Sequence, residues 1–518
     1  MVSAIVIAAV ASGEPPAALP YIRPYEKPAR KLATNPIDSF IDAALQTHKI
    51  TPAMGSSDEV FVRRVYLDIT GTLPDAAAVR RFLSQAQPTK RAELIDELLA
   101  SEAFVAYSTL KWCDVLRVKA EFPINLWPNA VQAYHRWIYN AVRSNLPYDQ
   151  FARELLTASG SNFRVPPVNF YRAIQERTPA GTAAAVALTF MGVRWESLSS
   201  SQRQQMAAFF SRIAYKPTAE WKEEIILLDP TAVGSLEAVF PDGTNVVIAA
   251  GQDPRRVFAD WLIRPDNPWF SRQIVNRIWA RLMGYGLIHE PDDIRADNPP
   301  SHPELLAYLE KELVKADFDL KAIYRLILNS RTYQQSSIPR SSDPQAERLF
   351  ACYPVRRLDA EVLIDAVCRI SQTRESYSSA IPEPFTFIPE QQPTIALADG
   401  SISSPFLEMF GRPSRDTGLE SERSNQSTEA QRLHLLNSSH IQKKIETSPY
   451  LSGLIRSAKK NPEFLVKTIY LTILSRYPTP EELQAAQSYL TAPGLGIERA
   501  ANDVIWALMN TKEFLYRH

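Results

Sequence analysis

The chain has 518 residues, of which 45% are hydrophobic and 22% are charged, a composition typical of a globular protein with a sizeable buried core. Its 57 basic and 57 acidic residues give a net charge of zero, which argues against a nucleic-acid partner and against a polybasic membrane-surface protein. Glycine is scarce, with 17 residues, and neither a GxGxxG nor a Walker-type motif occurs, so a phosphate-binding loop is not expected.

The N-terminal residues have the pattern of a secretory signal. An apolar run over residues 2–10 ends in Ala-Val-Ala at 9–11, a small-residue pattern typical of a cleavage site. We expect residues 1–12 to be the remnant of a signal peptide and the protein to be periplasmic or secreted; if the segment is no signal, the protein is cytoplasmic. No other run approaches the ~18 apolar residues of a spanning helix, so no membrane span is expected in the mature chain.

Residues 35–220 are predicted to form an N-terminal helical domain. Asn35 and Pro36 have the order of a helix cap followed by a proline in the first turn. Ile37 and Ile41 then begin an apolar series with the spacing of a one-sided helix. Further helical patterns follow, up to the stretches TAAAVALTFMGV and MAAFFSRIAY, so helices are expected along the whole domain.

The pattern changes over residues 221–251, which are predicted to form a β-rich connector. EEIILLD is a short apolar run, and LEAVF-PDG-TNVVIA has the turn residues of a β-hairpin. Residues 252–518 return to helical patterns and are predicted to form a C-terminal helical domain. Long surface loops are expected at 374–430, where Pro, Ser, Glu and Gln are frequent. The predicted fold is therefore mainly α, with two helical domains joined by a small β-rich connector.

Several long stretches resemble a known family. In the N-terminal half they are FVRRVYLDITGTLPD, KWCDVLRVKAEFPINLWPNAVQAYHRWI and NLPYDQFARELLTASGSNF; in the C-terminal half they include DPRRVFADWLIRPDNPWFSRQIVNRIWARLMGYG and the terminal WALMNTKEFLYRH. The chain is similar to exported two-domain proteins of unknown function from planctomycetes and verrucomicrobia, whose domains are labelled planctomycete cytochrome-c-associated. The resemblance covers most of residues 35–518. It implies an architecture, whereas no secure biochemical activity comes with it.

One segment departs from the family pattern. Family members typically carry a CxxCH motif, which attaches a c-type haem, after an FxGxR segment. Here Phe190, Gly192 and Arg194 match the entry to that motif and residues 207–210 match its exit, while WESLSSSQRQQ between them contains neither Cys nor His. The comparison implies that the haem site has been lost, so no cofactor is predicted. We expect this segment to form a short solvent-facing turn that leads into the next helix.

The densest group of ligand-type side chains lies in HEPDDIRADNPPSHPE, over residues 289–304. Carboxylates and histidines of this kind can hold Ca²⁺, Zn²⁺ or Fe²⁺, but the spacing fits no defined motif, and no metal ligand is assigned. The candidate site residues are Asp292, Asp293, Asn298 and His302. The alternative is a polar loop that ends in a helix cap, because Ser301 and Glu304 have capping-box spacing.

Two further groups of charges lie on predicted helices. The stretch RRLDAEVLIDA carries acidic and basic residues at helical spacing, namely Arg356, Arg357, Asp359, Glu361 and Asp365. Such residues usually form a solvated or interdomain ion-pair face. In RRVYLD, Arg64 and Asp68 are four residues apart and are expected to pair on the helix surface. The alternative for this segment is a buried interdomain salt bridge.

The leading functional hypothesis is a haem-less accessory, scaffold or binding protein of an exported, envelope-associated assembly, with a protein partner in the cell envelope. Its basis is a retained family framework without the redox motif. One alternative is a metal-dependent or acid/base hydrolase centred on the 289–304 loop. Another is an electron-transfer partner of a separate cytochrome. Whether the protein is an enzyme stays open.

Overall fold

The computed structural model describes residues 21–27, 35–458 and 461–518. These residues form many helices and a few short strands in small sheets, so the predicted mainly α fold is confirmed. The predicted signal remnant at 1–12 lies outside the described residues. In the part of the chain that the structure describes, no helix combines the length and the apolarity that a membrane span needs.

The helices fall into two groups according to the core they cover. Those around the larger core are α1 (Pro36–Thr47), α2 (Asp58–Thr70), α3 (Ala76–Ser84), α4 (Lys90–Leu99), α5 (Glu102–Val115), α6 (Pro128–Arg143), α7 (Tyr148–Thr157), α8 (Asn169–Arg172), α9 (Pro179–Val186), α10 (Ser200–Ala208), α11 (Pro254–Leu262), α12 (Phe270–Met283), α13 (Pro303–Lys315), α14 (Leu320–Leu328) and α15 (Arg331–Gln334). Those around the second core are α16 (Ala360–Ser371), α17 (Pro405–Met409), α18 (Glu429–Asn437), α19 (Ser439–Glu446), α20 (Pro449–Ser457), α21 (Pro462–Ile473), α22 (Pro480–Leu490), α23 (Ile497–Met509) and α24 (Lys512–Leu515).

The strands pair in small antiparallel sheets. They are β1 (Glu26–Lys27), β2 (Gly55–Ser56), β3 (Gly160–Ser161), β4 (Ile213–Pro217), β5 (Glu224–Leu228), β6 (Leu236–Val239), β7 (Asn245–Ile248), β8 (Arg356–Arg357) and β9 (Tyr516–Arg517). Three sheets join β1–β2, β6–β7 and β8–β9, and the fourth has the order β3–β5–β4. The predicted hairpin is confirmed as β6–β7. The stretch MAAFFSRIAY was predicted to be helical, but the helix ends at Ala208 and IAY pairs with β5, because aromatic and branched residues fit a paired strand.

Hydrophobic packing does not divide the chain where the sequence pattern changes. The larger core combines buried residues from positions 37 to 353 with Ala398 and Leu471, and it continues without interruption across the β-rich connector. The second core contains mainly residues from positions 358 to 514, together with a few side chains from α2, α5 and the turn after α2. Packing therefore separates two bodies near residue 354, and the predicted domain limits at 220 and 252 stay a prediction.

The segment without a haem motif forms a turn and a capped helix. Gly192 has a φ of 64°, and a Cβ there would lie 2.9 Å from Ile294 Cδ1, so the chain needs glycine at this close contact. A 3₁₀ turn at Trp195–Ser197 follows, and Ser199 with Gln202 then forms a capping box at the start of α10. Most side chains from 196 to 204 are exposed or half-buried. The predicted solvent-facing turn is confirmed.

The predicted surface loops at 374–430 are surface loops only in part. Residues 374–393 are mostly exposed, whereas many residues from 394 to 415 are buried. Polar side chains of the buried part form hydrogen bonds: Asp399 accepts from the Ala120 amide at 2.9 Å, and Arg415 donates to the Ala398 carbonyl at 2.7 Å. Polar composition predicted exposure here, but these bonds allow the loop to fill the space between the two cores.

Candidate functional site

Helix α5 presents three polar side chains to the second core. Tyr107, Lys111 and Asp114 are separated by four and three residues, so they lie on one face of the helix. That face meets the start of α16 and the loop that contains Arg423. The sequence therefore places a phenol, an ammonium group and a carboxylate together at the junction between the two bodies.

Asp359, which precedes α16, is the acceptor at the centre of this junction. Its Oδ2 accepts hydrogen bonds from Tyr107 Oη at 2.7 Å, Lys111 Nζ at 2.9 Å and Arg517 Nη2 at 3.1 Å, and its Oδ1 accepts from Asn425 Nδ2 at 3.0 Å. Burial alone would raise the pKa of Asp359, but Lys111 and Arg517 outweigh burial and hold this pKa well below its usual range. The carboxylate is thus held ionised.

Arg423 links the two bodies through two carboxylates. Its guanidinium lies 2.6 Å from Glu361 on α16 and 2.7 Å from Asp114 on α5. Asp114 also lies 2.9 Å from Arg415. Burial would raise the pKa of Asp114, but Arg423 and Arg415 lower it to about 2. Such paired geometry keeps charges in a low-dielectric interior, where an unpaired one would be strongly destabilising.

A third set of ion pairs extends the junction toward α12. Glu420 lies 2.9 Å from Arg281, and its backbone amide donates to Asp292 at 2.6 Å. Asp292 also pairs with Arg277, whose side chain is fully buried. One of the four predicted site residues, Asp292, therefore belongs to the junction as a buried structural acceptor.

We call the ion-paired charges at this junction the junction network. Its eight cations are Lys111, Arg277, Arg281, Arg356, Arg412, Arg415, Arg423 and Arg517. Its six carboxylates are Asp68, Asp114, Asp292, Asp359, Glu361 and Glu420. The network spans both bodies and contains an excess of two positive charges.

A pocket of about 370 Å³ opens onto the network, and we call it the junction pocket. Its charged lining is Asp68, Lys111, Arg281, Glu290, Arg356, Asp359, Glu420, Arg423 and Arg517. Phe104, Tyr107, Tyr285 and Tyr324 add aromatic surface. A mixed aromatic and polar lining in a pocket of this size is typical of small-molecule sites, whose volumes run from ~300 to 1,000 Å³. We take the junction pocket as the candidate functional site.

The other predicted site residues lie apart from this pocket's charged lining. Asp293 accepts from Arg295 Nε at 3.2 Å, and Asn298 donates to the carbonyls of His289 and Asp293, at 2.7 and 2.9 Å. These bonds hold the loop in shape. In the described residues, no group of three or more His, Cys, Asp or Glu side chains is arranged to hold a metal ion.

His302 is buried next to α13 and faces an aromatic ring. Its ring lies 5.6 Å from that of Phe350, and its Nδ1 lies 3.0 Å from Ser301 Oγ. Burial, with a small contribution from His48, lowers the pKa of His302 to about 4, so the imidazole is neutral near pH 7. The predicted set of Asp292, Asp293, Asn298 and His302 thus occupies separate surroundings, and its functional role stays a prediction.

The expected surface pair in α2 is wrong. Arg64 and Asp68 are both buried, and Arg64 donates to the backbone carbonyls of Tyr333 and Gln335. Asp68 lies 3.6 Å from both Arg356 and Arg517, which belong to the second half of the chain. The alternative of a buried interdomain salt bridge is therefore the correct one.

The face of α16 is interdomain and not solvated. Asp359 and Glu361 are both buried and pair with residues of α5 and of the 411–425 loop. The sequence interpretation left out Lys111, Arg281 and Arg423, although the spacing of Lys111 from Tyr107 and Asp114 was a usable signal. Nothing in the local sequence indicated that Arg423 would reach α5, because the partners are about 300 positions apart.

A second, larger cavity of about 790 Å³ lies between α3, α5 and the end of α16. Its most perturbed acid is Asp365, which accepts hydrogen bonds from the amides of Thr394 and Ile395 at 2.9 and 3.0 Å. This carboxylate is therefore already engaged with the backbone. The junction pocket brings together more charged groups from both bodies, so we favour it as the functional site.

Comparison with known families agrees with a two-part chain. The family model described as PSCyt2, protein of unknown function (DUF1549), matches residues 36–214, and that described as PSD1, protein of unknown function (DUF1553), matches residues 254–490. No curated protein and no solved structure matches the chain. Lys111 lies in the first matched region, whereas Asp359 and Arg423 lie in the second, so the junction pocket combines side chains from both.

Proposed function

We propose a binding function for this chain, which belongs to the family that combines the two planctomycete cytochrome-c-associated domains of unknown function, PSCyt2 and PSD1. The resemblance predicted from the sequence is thereby confirmed. The proposed role is that of a haem-less accessory protein in an exported, envelope-associated assembly, where it binds a small polar ligand in the junction pocket and contacts a protein partner.

The observation that supports this proposal is the composition of the junction pocket from both matched domains. Helix α5 contributes Tyr107 and Lys111, and the second domain contributes Arg281, Asp359 and Arg423. Neither domain alone has this set of charges. A ligand site that needs both halves gives a physical reason for their pairing in one chain.

The electrostatics of the central acceptor favour binding over acid/base catalysis. Asp359 accepts four hydrogen bonds, and its pKa lies well below the usual range. An efficient general acid or base has a pKa near the working pH, so Asp359 is poorly suited to proton transfer. Its fixed charge is well suited to orienting Lys111 and Arg517 toward a ligand.

The proposal is tested by direct binding to the purified full chain. The probes are glucose, glucuronate, glucose 6-sulfate, glucose 6-phosphate and malate. Their binding is measured by thermal shift and calorimetry. Ser421→Trp places an indole at the pocket lining, where Ser421 is exposed; Ser235→Trp makes the same change at an exposed site outside the pocket. We expect at least one probe to stabilise the native protein and Ser235→Trp but not Ser421→Trp.

Three other outcomes contradict the proposal. If no probe stabilises the native protein, or if Ser421→Trp binds as well as the native chain does, the junction pocket is not the binding site. If a bound probe is converted, which NMR of the recovered compound would reveal, the accessory role is replaced by an enzymatic one. Stoichiometric metal in the same preparation would then favour the hydrolase centred on the 289–304 loop.

A further inference from the structure

We infer that the ligand of the junction pocket is a small organic anion, whose carboxylate, sulfate or phosphate group contacts Lys111. This inference rests on the proposed binding function and adds the chemical class of the ligand. The charge balance of the network, the unused donors of Lys111 and the size of the pocket support it.

The first argument is charge. The junction network holds eight cations against six carboxylates, although the whole chain has a net charge of zero. The side chains of this network are mostly buried, and excess charge in a low-dielectric interior is poorly screened. A bound anion would neutralise part of this excess, whereas a bound cation would increase it.

The second argument is the supply of hydrogen-bond donors. Among the described residues, Lys111 Nζ has one hydrogen-bond partner, Asp359, and an ammonium group has three donors. Nε of Arg356, Arg423 and Arg517 is buried without a hydrogen-bond partner in the same part of the chain. All four side chains line the pocket. The buried Nε groups add positive potential beside it, and the ammonium group of Lys111 supplies the spare donors that an acidic group can use.

The third argument is that the central carboxylate, Asp359, has little capacity left to accept further hydrogen bonds. Asp359 already accepts from four donors, and three of these converge on a single oxygen. It holds Lys111 in place but has little remaining capacity to bind a ligand cation. The pocket volume of about 370 Å³ also exceeds what an inorganic ion needs and lies within the ~300–1,000 Å³ of organic ligand sites.

Lys111→Met, compared with Lys119→Met, gives a matched test in the full chain. Both lysines are 13% exposed, and each pairs with one carboxylate, Asp359 or Asp416, but only Lys111 lines the pocket. Lys111→Met leaves Asp359 with three donors, so the fold should persist. Lys111→Arg retains the charge and serves as the conservative rescue.

The experiment is calorimetric titration with the five probes at constant ionic strength. We expect at least one anionic probe to bind. Its dissociation constant should rise about tenfold or more in Lys111→Met, because a charge-assisted bond is lost. Lys119→Met and Lys111→Arg should bind the probe nearly as tightly as the native chain does. Glucose, the neutral counterpart of glucuronate, should bind much more weakly.

The outcomes separate the two proposals. If glucose binds at least as well as its acidic derivatives, or if Lys111→Met binds the anions as tightly as the native chain, the anion assignment is overturned while the pocket stands as a binding site. If Ser421→Trp leaves all binding intact, the pocket itself is wrong. If no probe binds, both proposals fall.

Discussion

Asp365 shows how the structure can raise the pKa of a single carboxyl group. It lies on α16 at the edge of the larger cavity. Burial raises its pKa to about 6, although hydrogen bonds from Thr394 and Ile395 act in the opposite direction. The burial contribution wins because, unlike Asp359, Asp365 has no cation among the causes that shift its pKa. Asp359, just before α16, and Asp365, six residues further along the chain, therefore have pKa values that are shifted in opposite directions.

Asp365 should make stability depend on pH. An acid whose pKa is raised by folding contributes stability that is present below its unfolded pKa, near 3.8, and lost as the pH rises through about 6. Between pH 4 and pH 7, we expect the free energy of unfolding of the native chain to fall. The fall should be larger than that of Asp365→Asn by on the order of 2 kcal/mol. Urea denaturation across this range measures the difference. Asp297→Asn, at an exposed site, should keep the native profile; identical profiles for all three chains would refute the assignment.

At the scale of elements, local sequence signals determine the conformation of the segment from Gly192 to α10. A left-handed glycine ends one helix, a 3₁₀ turn follows, and a capping box begins the next helix. Met206, Phe209 and Phe210 anchor the segment in the larger core. Its polar residues are exposed or half-buried.

This element leads to a spectroscopic prediction. We expect the protein, purified from a host that is competent in c-type haem attachment, to show no Soret band and no haem staining after denaturing electrophoresis, because none of its three cysteines lies in a CxxCH motif. A family member that keeps its CxxCH motif, produced in the same host, is the positive control. Covalently bound haem in the native chain would overturn the proposed haem-less role.

At the scale of the whole molecule, charges join the two cores. The guanidinium of Arg423 pairs with both Asp114 from α5 and Glu361 from α16. Removing one partner of a buried ion pair leaves an uncompensated charge. The second core also includes side chains from α5, such as Tyr107 and Leu110. The two bodies should therefore unfold together as long as this contact is intact.

Arg423→Met should test that coupling. We expect it to lower the free energy of unfolding by about 3–5 kcal/mol, because Asp114 and Glu361 lose a shared partner, and to split a single thermal transition into two. Arg432→Met, which removes an exposed arginine paired with Glu429, should change stability by less than about 0.5 kcal/mol. Differential scanning calorimetry measures both the change in stability and the number of thermal transitions. A native-like single transition in Arg423→Met would show that apolar packing alone joins the bodies.

Local sequence rules predicted much of the fold and little of the site. The cap and proline at Asn35 and Pro36, the β6–β7 hairpin and the turn before α10 were predictable because each depends on neighbouring residues. Of the four predicted site residues, only Asp292 belongs to the junction network. The buried loop at 394–415 was missed, because Asp399 and Arg415 bond to Ala120 and Asp114, which lie far away in sequence.

The sequence by itself determined the helical character, the hairpin, the family and the absence of a haem-attachment motif. The tertiary structure alone decided which charges are buried and which lie together. Spacing along a helix shows that Tyr107, Lys111 and Asp114 share a face, but it does not show what covers that face. Asp359 and Arg423 cover it from positions about 250 to 300 residues away. Electrostatic energy depends on distance and burial in space, and these are set by packing.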